Sequence, residues 1–187
     1  QPSTYDVTSF VNKHGDGVKR WSALVKNVHK AYDHAIKNRA IPVHPPVKKI
    51  DSHGYVEEAA VRIYDDAEVS FINYDHYKGI FKPGYEKPRH LFQVDRQDPA
   101  IIAIDHIVGN VRENEMDRWA KYFNEAMDFE TFVDFGPGDI CTKYSSLLSK
   151  VVRTKDSSIR LPINEPYEGL MKSQIEEFLE EYHGSGI

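Results

Sequence analysis

The chain has 187 residues, 40% of them hydrophobic and 28% charged, which is ordinary globular composition and long enough to bury a core. Its net charge of −5, with lysines and arginines scattered rather than striped, excludes the electrostatic footprint of a nucleic-acid binder. No apolar run approaches the roughly 20 residues a membrane helix needs, and the single cysteine, Cys141, excludes an internal disulfide framework and fits a reducing compartment.

In chain order, residues 5–12 hold the apolar positions Tyr5, Val7, Phe10 and Val11 and lead into His14-Gly15-Asp16-Gly17, which reads as a polar turn. A strand is expected over 18–25, with Lys19, Trp21, Ala23 and Val25 toward the core. Residues 28–40 keep helical spacing through Val28, Tyr32, Ala35 and Ile36, and Pro42, Pro45 and Pro46 stop that helix. Strands follow over 47–50, 56–64 and 69–72. Residues 73–99 lack periodicity and read as an irregular connector.

The stretch 101–110, Ile-Ile-Ala-Ile-Asp-His-Ile-Val-Gly-Asn, reads as a strand buried on both faces, broken only by Asp105 and His106. Alternation sets His106 beside Ile102, Ile104 and Val108, so its ring nitrogens need partners: a hydrogen-bonded core histidine and a metal ligand both satisfy them, and pattern alone favours the former. A helix over 114–127 gathers Met116, Trp119, Ala120, Phe123, Ala126 and Met127 on one face. Strands over 129–135, 142–153 and 159–163 and a helix over 173–182, with Ile175, Phe178, Leu179 and Tyr182 inward, complete the chain. Each half therefore reads strand, helix and three strands, an α+β order given twice. Cys141, with no histidine near it in sequence, reads as incidental. The chain opens at Gln1 without a methionine and closes on Gly184-Ser185-Gly186-Ile187, which reads as a turn leading to a further strand and hence as a piece of a longer protein.

Asp105-His106-Ile107-Val108-Gly109-Asn110, Tyr144-Ser145-Ser146-Leu147, Leu161-Pro162-Ile163-Asn164-Glu165-Pro166, Lys172-Ser173-Gln174-Ile175 and Gly184-Ser185-Gly186-Ile187 resemble, in order, signatures of the 4-hydroxyphenylpyruvate dioxygenase family. Lys13-His14-Gly15-Asp16-Gly17-Val18-Lys19 and Pro83-Gly84-Tyr85-Glu86 match it in the first half. The resemblance implies the vicinal oxygen chelate fold of paired strand-helix-three-strand modules, two of them present. Residues 1–92 would hold the later module of an N-terminal domain with its connector, and 93–187 the first module of a catalytic C-terminal domain, ending before the second iron ligand.

The implied chemistry is oxidative decarboxylation of the 2-oxo acid 4-hydroxyphenylpyruvate by O2 at an Fe(II) centre, with ring hydroxylation to homogentisate and release of CO2, in tyrosine catabolism in the cytoplasm. His106 matches the first iron ligand, and Ser149, Pro162, Asn164 and Gln174 match positions lining the substrate pocket. Read from the residues alone, Ser149 also fits a small strand filler, Gln174 a surface position, and Asn164 a turn cap at Glu165-Pro166. His183 does not match a ligand position. The second histidine and the carboxylate ligand of the family are not in this sequence, so the isolated chain is expected to be inactive. The resemblance also implies a homo-oligomer, dimer or tetramer. The alternatives are a 4-hydroxymandelate synthase-like dioxygenase, or a non-enzymatic fragment that assembles through its half-domains.

Overall fold

A computed structural model describes residues 4–87, 102–136, 146–167, 169 and 171–187. Cys141, Ile101, Pro137-Gly138, the 142–145 end of an expected strand and the 88–99 part of the connector lie outside the described residues.

The order is α1 (Thr4–His14), β1 (Arg20–Leu24), α2 (Val28–Lys37), β2 (Ile41–Asp51), β3 (Gly54–Ile63), β4 (Ala67–Asn73), β5 (Gly109–Asn110), α3 (Met116–Met127), β6 (Glu130–Phe135), β7 (Ser146–Arg153), β8 (Arg160–Tyr167) and α4 (Gln174–Glu181). Two four-stranded sheets form, ordered β1-β4-β3-β2 and β5-β8-β7-β6. In each, the first strand lies parallel to the last while the other pairings are antiparallel. The strand, helix, three-strand repeat is thus a repeat of topology, and α+β is the class.

Period-3.6 patterning made α2 and α3 legible. Val28 and Ala35 of α2, and Met116, Trp119, Ala120, Phe123 and Ala126 of α3, are buried. Asn27 caps α2 by accepting from the Lys30 N–H at 2.8 Å, and the helix ends at Asn38 and Arg39, the latter at φ 68°. The prolines at 42, 45 and 46 therefore do not act as the helix stop. They lie inside β2, which tolerates them because it is an edge strand whose register shifts at Pro42/His44 and His44/Val47. Residues 5–12, read only as scattered apolar positions before a turn, form α1, whose Phe10 and His14 fall one helical turn apart and are both buried.

One hydrophobic core runs through both modules. Ala59, Val61, Ile63, Val69 and Phe71 from the first sheet join Val152, Leu161 and Ile163 from the second, with α2 and α3 between. Tyr64 packs edge-on against Trp119 and Phe123 of α3, with ring centroids 5.1 and 6.0 Å away. Any side chain on Gly109 would overlap the Tyr64 hydroxyl, so the second module's first strand can lie this close to the first module only as glycine.

The expectation that 101–110 is a strand buried on both faces is corrected. Only Gly109–Asn110 is strand, Ile102 is 91% and Ile104 82% exposed, and His106 is exposed as well. The reason is a missing neighbour. In the β5–β8 register Gly109 stands beside Ile163 and Asn110 beside Asn164, which sets residue 106 level with Arg160, where β8 begins. The Ile107 N–H still reaches the Arg160 carbonyl at 3.1 Å, and the Val111 N–H reaches that of Asn164 at 2.8 Å. Pro162 has no N–H to supply the rung between them, and before Arg160 the chain has already turned into the β7–β8 hairpin. An apolar run with no strand to pair with stays irregular and exposed.

Candidate functional site

The second sheet has two unlike faces. Antiparallel partners share a face, so Leu148 with Glu165, Lys150 with Ile163 and Val152 with Leu161 form the face that meets α3. There the Lys150 Nζ reaches Asp117 of α3 at 2.5 Å. Glu165, 6% exposed, accepts the Met116 N–H at 3.0 Å and so caps α3 from a neighbouring strand. Glu115 at the N-cap makes no side-chain capping bond, which leaves that task to Glu165.

The opposite face carries Ser149 directly beside Asn164, and Val151 beside Pro162. Three of the residues singled out from sequence, Ser149, Pro162 and Asn164, therefore share one face. Ser149 is buried at 4% exposure, and Asn164 Nδ2 donates to the Asn110 side-chain oxygen at 3.4 Å across to β5. Asn110 was not singled out. Its place beside Asn164 depends on the parallel register, which no local pattern reveals.

Gln174 is the first residue of α4 and is exposed. Ser173 builds a capping box with Glu176, accepting the Glu176 N–H at 3.2 Å while the Glu176 carboxylate accepts the Ser173 N–H at 2.6 Å. That box fixes where α4 starts and hence where Gln174 stands.

His106 lies at the end of the sheet. Its Nδ1 donates to the Asp105 carboxylate at 2.8 Å, and Asp105 also accepts from Arg160 at 2.7 Å. The His106 N–H and the Arg160 charge hold the Asp105 carboxyl below its ordinary range. With Nδ1 donating, the neutral ring carries its free lone pair on Nε2, the arrangement in which a carboxylate orients an imidazole for a metal. The ring is half-exposed. It borders a small groove of about 160 Å3 lined also by Trp21, Ser22, Ile107 and Ile159. None of Ser149, Pro162, Asn164 and Gln174 lines that groove. Among the described residues no three of His, Cys, Asp and Glu come together to hold a metal ion. The described residues thus supply one prepared imidazole and no complete donor set, and a single imidazole does not hold Fe(II) against water.

No protein-family model matches the chain. Among curated proteins it is 35% identical over 193 residues to a 4-hydroxyphenylpyruvate dioxygenase of Yarrowia lipolytica, an alignment covering 100% of this chain and 48% of that protein. It is 38% identical over 176 residues to one of Tetrahymena thermophila, covering 93% and 44%, and 33% identical over 189 residues to one of Xenopus tropicalis, covering 100% and 48%. Among solved structures, a variant of 4-hydroxymandelate synthase from Streptomyces coelicolor superposes with a TM-score of 0.77 at 19% identity, covering 100% of this chain and 51% of that one. A xylose isomerase-like TIM barrel/4-hydroxyphenylpyruvate dioxygenase fusion protein superposes at 0.59 with 20% identity, covering 100% and 26%. The chain spans about half the length of the curated relatives it matches. Its fold is the α+β vicinal oxygen chelate fold, and along its whole length the chain is similar to part of the 4-hydroxyphenylpyruvate dioxygenases.

Proposed function

We propose that this sequence is part of an Fe(II)-dependent dioxygenase that converts the 2-oxo acid 4-hydroxyphenylpyruvate and O2 to homogentisate and CO2 in tyrosine catabolism, in the cytoplasm, as a homo-oligomer. The observation that carries the reading is similarity to proteins of that name over 93–100% of the chain at 33–38% identity. The iron, when bound, supplies the centre at which the 2-oxo acid and O2 react. His106 is one ligand and the remaining ligands come from outside these 187 residues. Residues 93–187 contribute the first module of the catalytic domain, and 1–92 a module of the domain before it.

The roles of this chain's own side chains follow from their chemistry. On the face away from α3, the Ser149 hydroxyl and the Asn164 amide bind and orient a phenolic ring without competing for the metal, while Pro162 walls the pocket beside them. Gln174, at the start of α4, offers an amide for the same ligand. The Asp105 carboxylate, held by Arg160, keeps the His106 ring in the tautomer that ligates through Nε2.

The test uses the full-length protein that contains this sequence. Incubated with 4-hydroxyphenylpyruvate and Fe(II) in air, it is expected to form homogentisate. Formation of 4-hydroxymandelate instead would favour a hydroxymandelate synthase, a reading kept open by the structural likeness to that enzyme. Formation of neither product by iron-loaded protein would overturn the proposal. The 187 residues by themselves are expected to give no turnover, and homogentisate from the isolated chain would contradict the division of iron ligands stated above.

A further inference from the structure

The two modules enclose a cleft of about 720 Å3 that belongs to neither sheet's open face. One wall is β1 and α2, and the other is the end of α3, Phe129 and the β7–β8 turn. Trp21, Ala31, Met127, Phe129 and Ile159 line it, and each of them is only partly buried against the core. At its mouth Leu24 is 73% exposed. This volume lies within the range of small-molecule sites, and so much apolar lining open to water favours whatever covers it by about 25 cal/mol per Å2.

The charges around the mouth are mostly spoken for. Lys155 pairs with Asp128 at 2.8 Å. Asp156 is taken up inside its own turn, accepting from the Thr154 hydroxyl at 2.6 Å and from the Ser158 N–H and hydroxyl at 3.1 and 2.8 Å. The His34 ring lies 3.0 Å from the Glu125 carbonyl. Lys30, on the first turn of α2 at the cleft wall, has no carboxylate partner among the described residues.

We propose that this inter-module cleft binds a small aromatic anion, its flat apolar body against Trp21 and Phe129 and its carboxylate or sulfonate at Lys30. The site is separate from the polar face of Ser149 and Asn164, and it meets the groove beside His106 along Trp21 and Ile159.

The test is a titration of the whole chain with 8-anilinonaphthalene-1-sulfonate, followed by energy transfer from tryptophan, and displacement by 2-naphthoate. One saturable site is expected, displaced by 2-naphthoate. Trp21→Phe should remove most of the energy transfer. Ala31→Trp should fill the cleft and abolish binding. Lys30→Glu should weaken 2-naphthoate by threefold or more, about the size of one exposed ion pair. Lys30 and Leu24 are surface positions, so Lys30→Glu and Leu24→Glu keep the test open if Ala31→Trp does not fold, and both should weaken the dye. Dye binding that survives Lys30→Glu and Leu24→Glu unchanged in folded protein, or that 2-naphthoate does not displace, overturns the proposal.

Discussion

At the scale of single residues, Glu58 shows how a charge is kept inside this fold. It is 1% exposed on β3, and its two oxygens are taken by Lys49 of the neighbouring strand and by Lys82, the latter at 2.9 Å. Burial pushes the carboxyl up, but the two ammonium groups outweigh it and bring it down from the ordinary 4.5 to about 2. A carboxyl depressed in the folded state contributes stability that is fully present above about pH 4.5 and is lost as the pH falls toward 2. Glu58→Gln should therefore destabilise at pH 7 by about 2–3 kcal/mol, near the lower end for a broken buried pair because both lysines reach water. The difference from the parent should shrink below pH 4 in urea melts taken across pH. Equal destabilisation at pH 7 and pH 2.5 would show that the carboxylate charge is not what holds the site. The same attention to partners explains which site residues were readable. Pro162 and Asn164 share a face by the period of two along β8, while Ser149 joins that face only through the β7–β8 register, and the strand expected over 159–163 stops one residue short of Asn164. His106 lies where alternation has ended, and its neighbours Trp21 and Arg160 arrive from distant parts of the chain.

Among the elements, those with a strong period were legible and those that depend on a partner were not. Helix α3 announces its buried face, from Met116 to Ala126, because the spacing is set within the element. The 101–110 stretch is as apolar as a buried strand, but whether it becomes one depends on β8, whose Pro162 lacks a rung and whose first residue is Arg160. Helix α1 left little signal, with Phe10 and His14 buried among residues 7–14; what fixes it is tertiary. The His14 ring is stacked on Tyr182 at 4.1 Å, bonded at Nε2 to Asp66 at 2.9 Å and at Nδ1 to the Tyr182 carbonyl. Lys13 adds a 3.0 Å pair to the same Asp66. His14→Ala removes both bonds and the stacked ring, so α1 should come loose ahead of the rest. The expected result is a loss of about 2–4 kcal/mol and faster amide exchange over residues 4–14, with protection of β3 and β4 kept. Unchanged protection of α1 would contradict this docking.

Considered whole, the molecule is tied across its modules at more than the helices. Asp65, in the turn after β3, takes both guanidinium nitrogens of Arg112 at 2.8 and 2.6 Å and accepts the Ser185 N–H at 3.0 Å. Burial pushes that carboxyl up, and Arg112 and Ser185 more than offset it, so it stays below its ordinary range. Together with Tyr64 against Gly109 and the continuous core, this predicts a single unfolding transition by calorimetry rather than one per module. Gly109→Ala, which drives a methyl into Tyr64, should lower stability by about 1–3 kcal/mol and leave that transition single. Two resolved transitions in the parent chain would show the modules to be independent. In the proposed function His106, oriented by Asp105, is one ligand to the iron. Its most direct test is the iron content of the full-length protein, purified after loading with Fe(II), with and without His106→Ala. The account predicts about one iron per chain, falling to background in the variant while the melting temperature is held. Full iron occupancy in folded His106→Ala protein would contradict it.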